Sequence, residues 1–182
     1  MPRPEPDPEL QIREGGEADA ERIAGLHIES WRATYQHELS PAFLAAQDLT
    51  SRVAHWRQLL QRGIAVLLAE RGASLCAFVA CGPAHERESS PRPWEIYNLH
   101  VSPAQHRRGL GGLLFDRAVS LGRAQGAVET VLWVVESNRS ARLFYERKGM
   151  SWDGGRQEHP VAPGEVLREV RYRISMREGG GT

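Results

Sequence analysis

Apolar positions along the chain repeat at two periods, and the places where one gives way to the other mark its elements. Leu10 and Ile12 alternate with Gln11 and Arg13, the period of a half-buried strand. From Ile23 the repeat lengthens, and Ile23, Leu26, His27, Ser30, Trp31 and Thr34 fall at helical spacing. Pro41 breaks that pattern, after which Val53, Trp56, Leu59 and Leu60 predict a second amphipathic helix ending before Gly63. Two apolar runs, 64–69 and 75–81, joined through Arg71-Gly72-Ala73, predict a β-hairpin. Beyond a loop holding Pro83, Pro91 and Pro93, residues 94–101 alternate as a strand and stop at Ser102-Pro103. Leu110, Leu113, Leu114, Ala118 and Leu121 then mark one face of a helix. A β-rich run at 128–135, a short helix at 141–148 closed by Gly149, and an alternating strand through Val166, Val170, Tyr172 and Ile174 complete the series.

A length of 182 residues suits one mixed α/β domain with a single core. The folded part is expected over 10–176. Prolines alternating with charge in 1–9, and the closing Gly179-Gly180-Gly181 within 177–182, predict flexible tails. Lys plus Arg and Asp plus Glu both number 23, so no charge excess points to nucleic acid or to a membrane surface. No leader and no apolar run long enough for a membrane span is visible, which makes the cytoplasm the expected compartment. Cys76 and Cys81 lie an odd number of residues apart in one strand, which predicts opposite faces and no disulfide between them. The seven histidines form no close ligand set, so no metal is expected.

Candidate chemistry begins where the strand at 94–101 hands over to a helix through Gln105-His106-Arg107-Arg108-Gly109-Leu110-Gly111-Gly112. Glycine lets backbone approach a phosphate closely, and the unpaired N–H groups of a helix's first turn point toward such an anion. Arg107 and Arg108 add cationic donors. A Walker loop would need Gly-Lys-Ser/Thr, and a dinucleotide fingerprint would need a small residue where Leu114 stands. Taken alone, the glycines could equally cap a turn.

The ordered set is more specific than the loop. Glu95-Ile-Tyr-Asn-Leu-His-Val, Pro103, Arg107-Arg-Gly-Leu-Gly-Gly, Asn138 with Ala141, and Phe144-Tyr145-Glu-Arg-Lys-Gly149-Met resemble the GCN5-related N-acetyltransferase family. The resemblance is strongest from Glu95 to Met150 and extends weakly to most of the chain. It implies a mixed, largely antiparallel sheet of about seven strands flanked by helices. It also implies acetyl-CoA as co-substrate and transfer of the acetyl group to a primary amine of a small molecule or peptide; with no cysteine near the motif to carry a covalent acetyl, direct attack in a ternary complex is expected. A CoA-binding sensor without turnover is the alternative, and a homodimer, common in the family, is not legible in the residues.

By the same resemblance, the strand holding Glu95 splays from its neighbour and pantetheine lies in the gap against backbone of Leu99, His100 and Val101. His106, Arg107, Arg108, Gly109, Leu110, Gly111 and Gly112 would cradle the pyrophosphate, and Asn138 would bond the pantetheine arm. His106 departs from the Gln or Arg usual in the family at its position. Tyr145 is the expected general acid toward the thiolate, Glu95 the candidate base, and the N–H of Leu99 the expected oxyanion donor. A solvated Glu95 and a core Tyr145 are the plainer readings. Glu29, Trp31 and Tyr35 are candidates for the acceptor pocket, with core packing an equal account of the two aromatics.

Overall fold

The computed structural model describes residues 10–85 and 92–176, and in them the two periods become a layered α/β fold. The expected tails, 1–9 and 177–182, and Pro91 lie outside the described residues. In chain order the elements are β1 (Leu10–Glu14), α1 (Ala20–Thr34), α2 (Pro41–Ala45), α3 (Leu49–Gln61), β2 (Ala65–Arg71), β3 (Ser74–Pro83), β4 (Trp94–Val101), α4 (Leu110–Ala124), β5 (Glu129–Val135), α5 (Arg139–Arg147), β6 (Ser151–Ala162) and β7 (Glu165–Ser175). They form one seven-stranded sheet in the order β1-β2-β3-β4-β5-β7-β6. The pair β4–β5 is parallel and the other pairs are antiparallel.

Two elements were not read from the pattern. Pro41 does not merely interrupt: it opens α2 at the first turn, where its missing N–H costs nothing, and Ser40 Oγ accepts from Phe43 N at 3.2 Å. β6 is exposed along most of its length, so its sequence carries no apolar alternation.

Alternation in β3 supplies both faces of the sheet. Ala77, Val79 and Cys81 pack with Leu110, Leu114, Phe115 and Ala118 of α4, while Phe78 and Ala80 pack with Ile23 and Leu26 of α1 and Trp56 of α3. The parity argument for the cysteines fails here. Where Ala69 and Glu70 of β2 face Ala77 and Leu75, Cys76 is an extra residue, and this bulge resets the alternation. Both cysteines therefore enter the same core cluster, each as a free, buried thiol.

Two local devices hold the elements in place. Arg13 of β1 bonds Asp19, just ahead of α1, at 2.6 Å and Glu70 of β2 at 2.7 Å, and Arg22 of α1 reaches Glu70 at 2.6 Å. The guanidinium of Arg13 draws the Asp19 carboxyl down to about 2. On the other face α4 packs tightly over Trp94, because a Cβ on Gly122 would stand 2.5 Å from Trp94 Cγ.

The feature that makes a site is a failure of pairing. β4 and β5 are paired only from Trp94–Ile96 to Thr130–Leu132, and beyond that point the two strands part. The parting coincides with a second bulge, where Ala80 faces Asn98 but Cys81 faces Ile96, leaving Tyr97 as the extra residue. Gly82 accommodates it: a Cβ there would lie 2.8 Å from the Tyr97 hydroxyl.

Candidate active site

A cavity of about 950 Å³ opens where β4 and β5 part, toward the upper end of the usual range for small-molecule sites. Its walls come from the C-terminal end of α1, the β4 strand, the loop into α4, the end of β5, the start of α5, and β6–β7. The hydrogen-bond pattern decides which β4 amides face it. Ser102 N donates to Cys76 O at 2.9 Å, so antiparallel alternation turns the N–H and C=O of Asn98 and His100 toward β3 and those of Leu99 and Val101 toward the gap. Leu99 and Val101 thus present backbone to the cavity as expected, whereas His100 does not.

At one end lies the glycine loop. Arg107 (φ 62°) and Gly109 (φ 81°) both take the left-handed conformation, and Gly109 is the N-cap of α4. The first N–H groups of α4 have no helical partner and carry the positive end of the helix dipole. Gly111 lines the cavity, and a Cβ there would meet only Val101 at 3.5 Å and Phe144 at 3.9 Å. The fold itself leaves room for that carbon, so the bare backbone suits a ligand's close approach. These features fit a pyrophosphate. Arg107, Gly109, Leu110, Gly111 and Gly112 line the cavity, and Arg108 does not. His106 also lines the cavity, its ring turned back on the strand with Nε2 3.1 Å from Val101 O, and Gln105 beside it has a buried Oε1 without a partner among the described residues. Asn138 reaches the cavity as the N-cap of α5, its Oδ1 accepting from Ala141 N at 3.1 Å.

Glu95 and Tyr145 face this same space. The Glu95 side chain is only 12% exposed, which removes the reading of a solvated strand acid. Its Oε2 accepts from His85 N at 3.0 Å and lies 3.2 Å from His85 Nδ1. Tyr145 is at once a core residue and a cavity residue. Its ring sits among Phe115, Phe144 and Tyr172, with centroids 6.2, 5.1 and 6.5 Å away. Burial, and secondarily Tyr35, raise its hydroxyl well above the ordinary tyrosine value.

At the other end Trp31 and Tyr35 line the wall in edge contact, with centroids 5.2 Å apart. Burial pushes the Tyr35 hydroxyl up to about 12, with Glu169 and Glu38 adding to it. Glu29 is not brought here: it is exposed on α1 and accepts from Ser102 Oγ at 3.3 Å. The acid that does line this end is Glu169 of β7, bonded by Gln157 Nε2 at 2.7 Å, and Trp133 of β5 joins it. Neither stood in a motif; an exposed-looking acid on an alternating strand is indistinguishable from a solvated one until the sheet order is known.

The imidazole of His100, unlike its amide, matters to the wall. Its Nδ1 lies 2.9 Å from Ser30 Oγ, and it stacks on His27 at 4.6 Å. Burial, with Arg52 adding, pushes His100 down to about 4, so it is neutral at pH 7. Trp56 Nε1 donates to His27 Nδ1 at 3.1 Å, which fixes that ring as its Nε2–H tautomer.

Among the described residues, no group of three or more His, Cys, Asp or Glu could hold a metal ion, and no helix is long and apolar enough to cross a membrane. Comparison with known proteins agrees with the geometry. Residues 21–150 match the acetyltransferase (GNAT) family. A Mycobacterium tuberculosis protein named as a probable N-acetyltransferase is 28% identical over 170 residues, covering 91% of this chain and 93% of that one. Solved structures share the fold, two of them with the coenzyme bound. The PaiA N-acetyltransferase from Thermoplasma acidophilum, in complex with coenzyme A, superposes with a TM-score of 0.65 at 17% identity, covering 91% of this chain and 98% of that one. YncA from Salmonella typhimurium, solved with its cofactor acetyl-CoA, gives 0.69 at 18% identity, covering 95% and 97%. A glycine loop with room for an anion, a parted sheet and a matching family profile lead to one conclusion: the chain belongs to the acetyltransferase (GNAT) family of N-acetyltransferases, whose co-substrate is acetyl-CoA.

Proposed function

We propose that the protein acetylates a cationic primary amine by direct attack in a ternary complex, with Glu95 accepting the amine's proton and Tyr145 protonating the departing thiolate. The observation that carries the reading is that Glu95, Tyr145 and the glycine loop line one cavity at the parting of β4 and β5. Acetyl-CoA supplies the activated acyl group. The first turn of α4 with Arg107 would hold its pyrophosphate, backbone of Leu99 and Val101 its pantetheine amides, and Asn138 the same arm through its remaining amide N–H groups. The N–H of Leu99 would meet the oxyanion.

Glu95 suits the base because an alkyl ammonium, with an ordinary pKa near ~10.4, must lose a proton before it can attack. Tyr145 suits the acid because its hydroxyl, protonated at neutral pH like that of any tyrosine, belongs to a residue lining the same cavity as Glu95 and the glycine loop. Direct attack is favoured over a cysteine-bound acetyl group. Neither cysteine lines the cavity, and burial pushes the Cys81 thiol up to about 11. Trp31, Tyr35 and Trp133 with Glu169 favour an acceptor that joins an apolar body to a positive charge.

The test is release of free thiol from acetyl-CoA across aliphatic diamines, arylalkylamines, amino acids and a peptide N-terminus. Diamines or arylalkylamines are expected to lead, with intersecting initial-velocity lines and a raised KM for the amine in Glu169→Gln. Parallel lines with an isolable acetyl-enzyme would refute direct attack. A preference for anionic acceptors would refute the assignment of Glu169.

A further inference from the structure

We propose that His85 is the proton exit of the site, carrying to solvent the proton that Glu95 takes from the amine. The inference rests on the reading of Glu95 as base. The need for an exit follows from the balance of the reaction. An ammonium and acetyl-CoA give an amide, free CoA thiol and one proton. The nitrogen loses two protons in all: one to Glu95 before attack, and one on the way to the thiolate as the C–N bond forms and the C–S bond breaks. The thiol keeps the equivalent of the second, so the first must leave Glu95 once per turnover. With the glutamate side chain 12% exposed and the cavity filled by two substrates, bulk water has little direct access to it.

His85 supplies the missing step. Its ring is 79% exposed, yet its Nδ1 stands 3.2 Å from Glu95 Oε2 and its backbone N donates to the same oxygen at 3.0 Å. Both contacts fall on Oε2, which leaves Oε1 for the amine. Imidazole is the side chain whose ordinary titration lies nearest neutrality, and its two nitrogens let it take a proton on one side and release one on the other. The proton taken on Oε1 reaches the His85 side when the neutral carboxyl turns over; its passage to Nδ1 makes an imidazolium, the Nε2–H is lost to water, and exchange with solvent resets the tautomer.

The ring's position is built rather than incidental. Ala84 N donates to Pro93 O at 2.8 Å, closing the segment across the ends of β3 and β4. The His85 ring lies edge-on to Tyr97 at 4.9 Å, and the Tyr97 hydroxyl donates to Pro83 O at 2.6 Å. Tyr97 is the bulge residue that Gly82 makes room for. The bulge that stands at the parting of the sheet therefore also seats the histidine against Glu95.

The experiment measures thiol release by the full chain with acetyl-CoA and 1,4-diaminobutane, or whichever panel amine turns over fastest, in dilute buffer. His85→Ala is expected to lose roughly 10²-fold in kcat/KM for the amine, the low end for a positioned proton transfer. Added imidazole should restore most of it, since removing an exposed ring leaves a solvent-open space beside Glu95. CoA affinity should not change. His85→Gln, which can still bond Glu95 but cannot relay a proton, should be as slow as the alanine variant. Wild-type activity in His85→Ala would overturn the proposal. So would full activity in His85→Gln without imidazole, which would make His85 a prop for Glu95. A Glu95→Gln variant as fast as wild type would instead remove the base, and with it the need for an exit.

Discussion

Replacing Gly111 with alanine should push stability and ligand binding in opposite directions. A Cβ at this position meets Val101 at 3.5 Å and Phe144 at 3.9 Å, both ordinary contacts, so the apoprotein accepts it without rearrangement. Gly111 lies in the first turn of α4, and glycine in a helix costs up to about 1 kcal/mol relative to alanine. The unliganded variant should therefore melt at the same temperature as wild type or up to about 4 °C higher, taking ~2–4 °C per kcal/mol for a chain of this size. The methyl group would stand where the phosphate approaches the helix N-terminus. Loss of one hydrogen bond to a charged group costs about 1.5–3 kcal/mol, or roughly 10- to 150-fold in Kd. At a CoA concentration 100 times the wild-type Kd, wild type gains about 2.7 kcal/mol, while a variant weakened about 100-fold gains ~0.4 kcal/mol. Thermal melts with and without CoA would read this as a shift of about 5–11 °C in wild type against ~1–2 °C in the variant. An undiminished CoA shift would refute the assignment of Gly111 to the phosphate cradle. A lower apo melting temperature would refute the claim that the fold leaves room for the carbon.

Tyr145→Phe should slow the chemical step in single turnover by ~10² to 10⁴ with CoA affinity unchanged, and full activity would leave Tyr145 as core alone. Gly122→Ala should show the contrast to Gly111: its Cβ would lie 2.5 Å from Trp94 Cγ, and overpacking of this kind costs about 1–3 kcal/mol, read as a lower denaturation midpoint with an unchanged slope. Asp19 is held down to about 2 against an unfolded value near ~3.9, so its contribution is present above pH ~4 and lost as pH falls from there toward 2. Asp19→Asn should lose about 1.5–3 kcal/mol at neutral pH and flatten the acid limb of the stability curve over that window, measured by urea titration.

What could be read in the sequence was local. The glycine loop, the α5 motif around Asn138 and Tyr145, and the alternation of β4 are each carried within a dozen residues, and all of them reach the cavity. What could not be read depends on who pairs with whom. The cysteine parity was right for a regular strand and wrong for β3, because the bulge at Cys76 is set by its pairing with β2. The same applies to backbone direction on β4: whether Leu99 or His100 offers its N–H to the gap is decided by the register with Cys76, far upstream. Glu169 and His85 join the site through strand order and a bulge, and neither leaves a trace in spacing. Glu29 is a candidate only as a charge that could attract a cationic acceptor, and a helix turns 100° per residue, so its side chain meets Ser102 instead.

The parted strands also bear on how the protein avoids sticking to itself. A strand edge with unpaired amides templates pairing with other chains, and proteins usually blunt such edges with charge, proline or a covering loop. Here the unpaired edges are internal and converge on the three residue pairs that join β4 to β5. A foreign strand seated between two others needs about 4.7–4.9 Å on each side along its whole length. A wedge offers that width at one depth only. A continuous polypeptide strand therefore could not pair with both parted edges along its whole length, whereas a slender chain with a few amides needs that width at one depth only.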